Sequence, residues 1–194
     1  MTTQSIVDIL LPRIQKLLPS SRPLVIAIDG RCASGKTTLS AELSACFSCP
    51  VIHMDHFFLR PHMRTPERLA HPGGNIDKER FSEEVAPHLK AGLPFSYVPF
   101  DCQKQTWGNP INIPASDVIL VEGSYALCPE LWELYDLRLF LTVSPEKQLE
   151  RIKIRNGDAG LEAFKHRWIP MEEAYFEAFH ISNRCDLVFD TTHI

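Results

Sequence analysis

The chain has 194 residues, 23% of them charged and 44% hydrophobic, with a formal net charge of -4. That size and balance fit one soluble α/β domain with a sizeable core. The acidic balance argues against a general nucleic-acid binder, and no apolar run approaches the roughly twenty residues that span a bilayer. At the N-terminus Asp8 interrupts the apolar residues and no basic stretch precedes them, so a signal peptide is not expected and the cytoplasm is the expected location. Six cysteines are scattered, and the one C-x-x-C, Cys46 and Cys49, has no second pair at zinc-ribbon spacing, so free thiols are expected.

Residues 3 to 18 carry Ile6, Ile9, Leu10, Ile14, Leu17 and Leu18 at helical spacing, which predicts a packing helix. Pro12 should bend or split it, and Pro19 and Pro23 should close it. Leu24-Val25-Ile26-Ala27-Ile28 reads as a buried parallel strand. Gly30-Arg31-Cys32-Ala33-Ser34-Gly35-Lys36-Thr37 follows and fits the P-loop template, Gly, four residues, Gly-Lys-Ser/Thr. Leu39 and Leu43, four apart, then mark a helix, so the motif lies between a strand and a helix. The chemistry explains the residue types. Glycines let successive N–H groups converge on a phosphate, and the helix N-terminus adds partial positive charge. Lys36 can reach the β- and γ-phosphates of a nucleotide, and the Thr37 hydroxyl can ligate Mg²⁺. Cys32 is a candidate oxidisable thiol inside the loop.

Val51 to Met54 reads as the second strand and delivers Asp55-His56-Phe57-Phe58 to its carboxyl end, where ligands bind in open parallel sheets. The polar stretch from Arg60 to Asn75 reads as a long functional loop. Asp77 should cap a helix reaching about Ala86. Residues 94 to 114 alternate around turn signals and suggest a β-hairpin insertion. Val118 to Val121 is a core strand ending in Glu122-Gly123, and Leu137 to Val143 is the next. Ser144-Pro145 starts a helix bearing Arg151 and Arg155 on one face, which Asn156-Gly157-Asp158 should break. Pro170 should open a later helix, and Leu187 to Phe189 is a final strand. The alternation predicts a doubly wound parallel sheet with helices on both faces.

Asp55 and Glu122 each end an apolar strand on the edge that carries the P-loop. Two carboxylates there can orient Mg²⁺, and one can accept a hydroxyl proton. Arg151, Arg155 and Arg167 flank a flexible break, as in a lid that closes over phosphates. His53, His56, His62 and His71 lack metal-ligand spacing.

Ala33-Ser34-Gly35-Lys36-Thr37, Asp55-His56-Phe57-Phe58 and Val121-Glu122-Gly123, followed by an arginine-bearing helix, resemble the uridine kinase family of P-loop kinases. The resemblance runs from about residue 22 to 190 and implies one kinase domain over 1–194, with the insertion at about 94–114 and the lid at about 151–168. It implies Asp55 as base toward the acceptor hydroxyl, and Thr37 and Glu122 as holders of Mg²⁺. Phe100-Asp101-Cys102 stands where the family carries nucleoside contacts, Gln105 stands nearest to a family histidine, and Ala70-His71-Pro72 is what remains of an Asn-x-Asp-His-Pro segment.

The expected nucleotide site is Gly30, Ala33, Ser34, Gly35, Lys36, Thr37 and Thr38. The expected catalytic groups are Lys36, Asp55, Arg151 and Arg155, and the expected acceptor contacts are Asp55, Phe58, Phe100, Gln105 and Arg167. ATP and Mg²⁺ are the expected cofactors and a small hydroxyl compound, a nucleoside first, the expected substrate. A vitamin precursor or sugar phosphate is the alternative acceptor, and an ATPase or switch acting on a protein is the rival from another class. No nucleic-acid or membrane partner is expected, and self-association stays open.

Overall fold

A computed structural model describes residues 2–18 and 21–194. Helix α1 (Thr3–Leu17) starts at a capping box, in which Thr2 and Ser5 exchange backbone-to-side-chain hydrogen bonds. It runs through Pro12 as one element. The proline stands on the exposed side, while Ile6, Val7, Leu10 and Ile14 pack against the sheet and the next helix, and this burial outweighs one lost backbone bond. Ile9, Leu17 and Leu18, expected on the packed face, are exposed. Pro19 lies outside the described residues.

The chain continues as β1 (Leu24–Gly30), α2 (Lys36–Phe47), β2 (Val51–His53), α3 (Pro66–Ala70), α4 (Lys78–Glu84) and α5 (Ala86–Leu89). Four short strands follow, β3 (Phe95–Tyr97), β4 (Phe100–Asp101), β5 (Thr106–Trp107) and β6 (Ile111–Ile113). Then come β7 (Val118–Glu122), β8 (Leu137–Thr142), α6 (Pro145–Ala163), α7 (Ile169–Phe179), α8 (Ile181–Arg184) and β9 (Leu187–Asp190). The central sheet has the order β2-β7-β1-β8-β9, and every pairing in it is parallel. Every residue of β1 and β7 is buried, as sheets covered on both faces require. Ile26 and Ile28 face the layer of α1 and α2, whereas Val25 and Ala27 face the layer that holds Phe57, Phe81 and Tyr175.

The register sets the site. Glu122 lies level with Ile28 on one side and His53 on the other, so the ends of β1, β7 and β2 share one edge. Gly30 pairs with Leu141, and a Cβ there would meet the Leu141 carbonyl oxygen at 2.0 Å; only glycine lets the chain turn into the loop.

Two expectations change. The stretch from Arg60 to Asn75 is ordered into a 3-10 turn, Pro61–Met63, and α3. Thr65 caps α3 by accepting the Arg68 N–H and Pro66 takes the first position, a start signal hidden by the polar composition. Asp77 does cap a helix, but α4 stops at Glu84 and the chain bends at Val85 into α5. The insertion is a stepped hairpin, with β3 pairing β6 and β4 pairing β5 further out. The break at Asn156-Gly157-Asp158 is found: Gly157 has φ 70° inside α6, and a π-helical turn, Phe164–Trp168, then leads into α7.

Candidate active site

One cleft of about 1330 Å³ runs along the carboxyl edge of the sheet, from the start of α1 to the hairpin. Its centre is the P-loop. Arg31 N–H donates to the Leu141 carbonyl, Ser34 N–H to the Arg31 carbonyl and Gly30 N–H to Asp29, so these three N–H groups are spent on the protein. The N–H groups of Ala33 and Gly35 donate to no protein group among the described residues. Those of Lys36, Thr37 and Thr38 open α2, where a helix leaves its first donors unpaired. Gly35 has φ 93°, and a Cβ there would meet nothing within 4 Å, so the cradle is open above it. This donor ring fits a polyphosphate. Gly30 and Ser34 therefore serve the loop's shape. The Lys36 ammonium donates to the Gly30 and Arg31 carbonyls at 2.6 and 2.9 Å, which holds it over the cradle.

Two buried acids set the loop from behind. Asp29 accepts from Gly30 N–H, Leu127 N–H and the Tyr175 hydroxyl, yet burial pushes its pKa up to about 6. Glu172 on α7 accepts the Cys32 N–H at 2.9 Å and the Ser124 hydroxyl at 2.5 Å. Neither acid stood out in the sequence, because nothing nearby marks it. Burial pushes the Cys32 thiol up to about 12, which removes it as an oxidisable thiolate.

The corner expected to hold Mg²⁺ lies where β1, β2 and β7 meet. Thr37 Oγ1 stands 3.3 Å from both Glu122 carboxylate oxygens, and the His53 ring donates from Nδ1 to Glu122 Oε1 at 2.5 Å. A hydroxyl, a carboxylate and nearby Asp55 are hard oxygen donors suited to Mg²⁺, which takes few protein ligands and completes its shell with phosphates and water. Among the described residues no group of three or more His, Cys, Asp or Glu could enclose a metal by itself. Glu122→Gln should weaken Mg²⁺-supported binding of an ATP analogue by about tenfold or more, with a smaller loss in chelator. Equal losses in titrations with and without Mg²⁺ would make Glu122 a structural acid.

The half of the cleft expected to take the acceptor begins at Asp55 on the 3-10 turn Met54–Phe57, where the carboxylate is open to solvent on the cleft side while the protein packed behind it strips water from its other sides. Desolvation and the charge of Glu122 hold its pKa above the usual aspartate value, opposed by Lys36, His53 and Arg155. Phe58 and Phe100 line this half as expected. Gln105 does not: it occupies the hairpin turn with φ 56°, and the turn presents Asp101, Cys102 and Gln103 to the cleft instead. Asn75 and Arg64 also line the cleft, whereas Ala70, His71 and Pro72 do not.

The lid arginines divide. Arg155 lines the cleft from α6, its guanidinium 5.5 Å from the Phe164 ring. Arg151 also borders the cleft, but it is engaged with the Ala33 carbonyl, the Thr191 hydroxyl and carbonyl, and the Ile194 carbonyl. It braces the loop against the chain after β9. Arg167 is exposed, stacked on Trp168 at 4.5 Å, and lies outside the cleft.

No family model matches the chain. A uridine kinase of Clostridium novyi (strain NT) is 26% identical over 145 residues, 70% of this chain and 69% of the relative. A possible uridine kinase from Bacillus stearothermophilus superposes with a TM-score of 0.75 at 24% identity, over 98% of this chain and 100% of that one. The chain has the uridine kinase-like P-loop kinase fold. A second uridine kinase-like neighbour, provisionally named a fructose transport system kinase from Silicibacter sp. TM1040, also has a TM-score of 0.75 at 24% identity, over 97% and 99% of the two chains. Among the described residues no helix is long and apolar enough to cross a membrane.

Proposed function

We propose that this chain is an ATP- and Mg²⁺-dependent kinase that phosphorylates a hydroxyl of a small metabolite, acting in the cytoplasm where ATP is supplied. The observation that carries it is one cleft holding the P-loop, the Thr37–Glu122 pair, Asp55 and the hairpin together. The P-loop N–H groups and Lys36 bind the polyphosphate and meet charge that develops on the transferred group. Mg²⁺, held through Thr37 and Glu122, neutralises phosphate charge. Asp55 accepts the acceptor's hydroxyl proton. Arg155 lies on the element that can close over the phosphates, excluding water.

The name of the Clostridium relative favours a nucleoside as acceptor. An ATPase or switch fits less well, because it needs no pocket for a second small substrate. A thermal-shift screen of hydroxyl compounds with Mg²⁺ and a non-hydrolysable ATP analogue tests the proposal. A true acceptor at a hundred times its dissociation constant adds about 2.7 kcal/mol to the nucleotide's own stabilisation. If no small hydroxyl compound adds to the nucleotide effect, the kinase reading loses its second substrate.

A further inference from the structure

The same half of the cleft holds a guanidinium with two uncommitted nitrogens and an amide without a hydrogen-bond partner among the described residues. Residues 60–80 carry four arginines, of which Arg64 lines the cleft. Arg60 pairs with Asp77, Arg68 clasps Glu79 through both terminal nitrogens, and Arg80 pairs with Glu84 and donates to the His56 and Val98 carbonyls. Arg64 differs. Among the described residues its one hydrogen bond runs from Nε to the Leu59 carbonyl at 2.9 Å, so both terminal nitrogens are left for the cleft it lines.

Asn75 is the second observation. It is only 4% exposed and lines the same cleft, yet its side-chain amide makes no hydrogen bond among the described residues. Its amide nitrogen and oxygen are not among the fully enclosed unpaired atoms, so what little of the residue is open faces the cleft, where a bound group can partner it. The two residues are tied to one backbone unit: Leu59 N–H donates to the Asn75 carbonyl at 3.2 Å, while the Leu59 carbonyl accepts from Arg64. The pairing of Phe58 with Ile76 holds this unit beside Asp55's own segment. Arg64 and Asp55 also act on one point. Burial pushes the Cys102 thiol up, while Arg64 pulls it down and Asp55 pushes it up. The acid nearest to Arg64 on the hairpin is spent, since Asp101 accepts the N–H groups of Gln103 and Lys104.

We propose that Arg64 and Asn75 form an anion-binding subsite in the acceptor half, so that the hydroxyl compound phosphorylated here carries a carboxylate or a phosphate. This rests on the kinase reading and narrows its acceptor away from a neutral nucleoside. A guanidinium fork with two free nitrogens matches either anion, and the amide supplies a further donor. The fixed distance from this subsite to Asp55 then selects which hydroxyl meets the base.

The test uses matched acceptors with ATP and Mg²⁺: glycerol against D-glycerate, D-ribose against ribose 5-phosphate, and uridine. The charged member of one pair should show a kcat/KM about tenfold or more above its neutral partner, and the responding pair names the anion. Arg64→Gln should remove that advantage, mainly through the acceptor KM, and Arg64→Lys should restore part of it. Should Arg64→Gln fold poorly by its melting temperature, Asn75→Asp decides, since an added negative charge should weaken charged acceptors and spare neutral ones. Equilibrium titration of both anions into the protein with Mg²⁺ and an ATP analogue separates the two proposals. Arg64-dependent binding without transfer keeps the subsite and overturns the kinase reading. Transfer to uridine or ribose, with no Arg64-dependent preference for either anion, keeps the kinase reading and overturns the subsite. Absence of both transfer and Arg64-dependent anion binding overturns both.

Discussion

Lys36→Ala should lower turnover by roughly a hundred- to a thousandfold while the chain stays folded. The lysine opens α2, and its ammonium rests on the Gly30 and Arg31 carbonyls, so little else in the P-loop depends on it for shape. Its side chain is a flexible cation beside the unpaired N–H groups of the loop. When a polyphosphate enters, two hydrogen bonds to neutral carbonyls are exchanged for contacts with charged oxygens, which are stronger. The loss should therefore fall on kcat and on nucleotide affinity together, measured by steady-state kinetics and calorimetry. The melting temperature should move by only a few degrees. Turnover close to that of the unaltered protein would mean that this P-loop does not handle phosphate.

Asp55→Asn should cost roughly a hundred- to ten-thousandfold in transfer, because a hydroxyl is a poor nucleophile without a positioned base. The substitution keeps the shape and removes the basicity. Binding of an ATP analogue should stay within a few-fold, since Thr37, Glu122 and the P-loop are untouched. The pH profile gives a second reading. Desolvation and Glu122 raise the Asp55 pKa, so the active carboxylate is lost, as pH falls, at a higher pH than for an ordinary aspartate. Transfer should thus decline on an acid limb as the carboxylate is protonated, and Asp55→Asn should flatten that limb. An unchanged rate with Asp55→Asn would remove Asp55 as the base.

The phosphate half was legible in the sequence because its signals are local. A run of buried β-branched residues, glycines at fixed offsets and an amphipathic helix start sit within one short segment, and the strand ends place Asp55 and Glu122 by topology alone. The acceptor half was less so. Phe58 and Phe100 line the cleft, but Gln105, which the family resemblance places there, sits in the left-handed turn at the hairpin tip and does not. Arg64 and Asn75 lie in a stretch whose polar composition reads as loop, and the Phe58–Ile76 pairing that holds this stretch beside the cleft is announced by no periodicity. Thr65-Pro66 was the one available sign of order there. Arg151 and Arg155 looked equivalent, one turn apart on one face. The difference comes from the chain after β9, which captures Arg151 and leaves Arg155 at the cleft.

The fate of the γ-phosphoryl group tests the central claim most directly. The protein is incubated with Mg²⁺ and ATP carrying heavy oxygen in the γ-phosphate, with and without the compound that gives the largest thermal shift, and the products are read by mass spectrometry. The account predicts that the labelled group appears on the acceptor, with ADP formed in equal amount and little release when the acceptor is left out. Label found only in inorganic phosphate, at a rate indifferent to any acceptor, would contradict it.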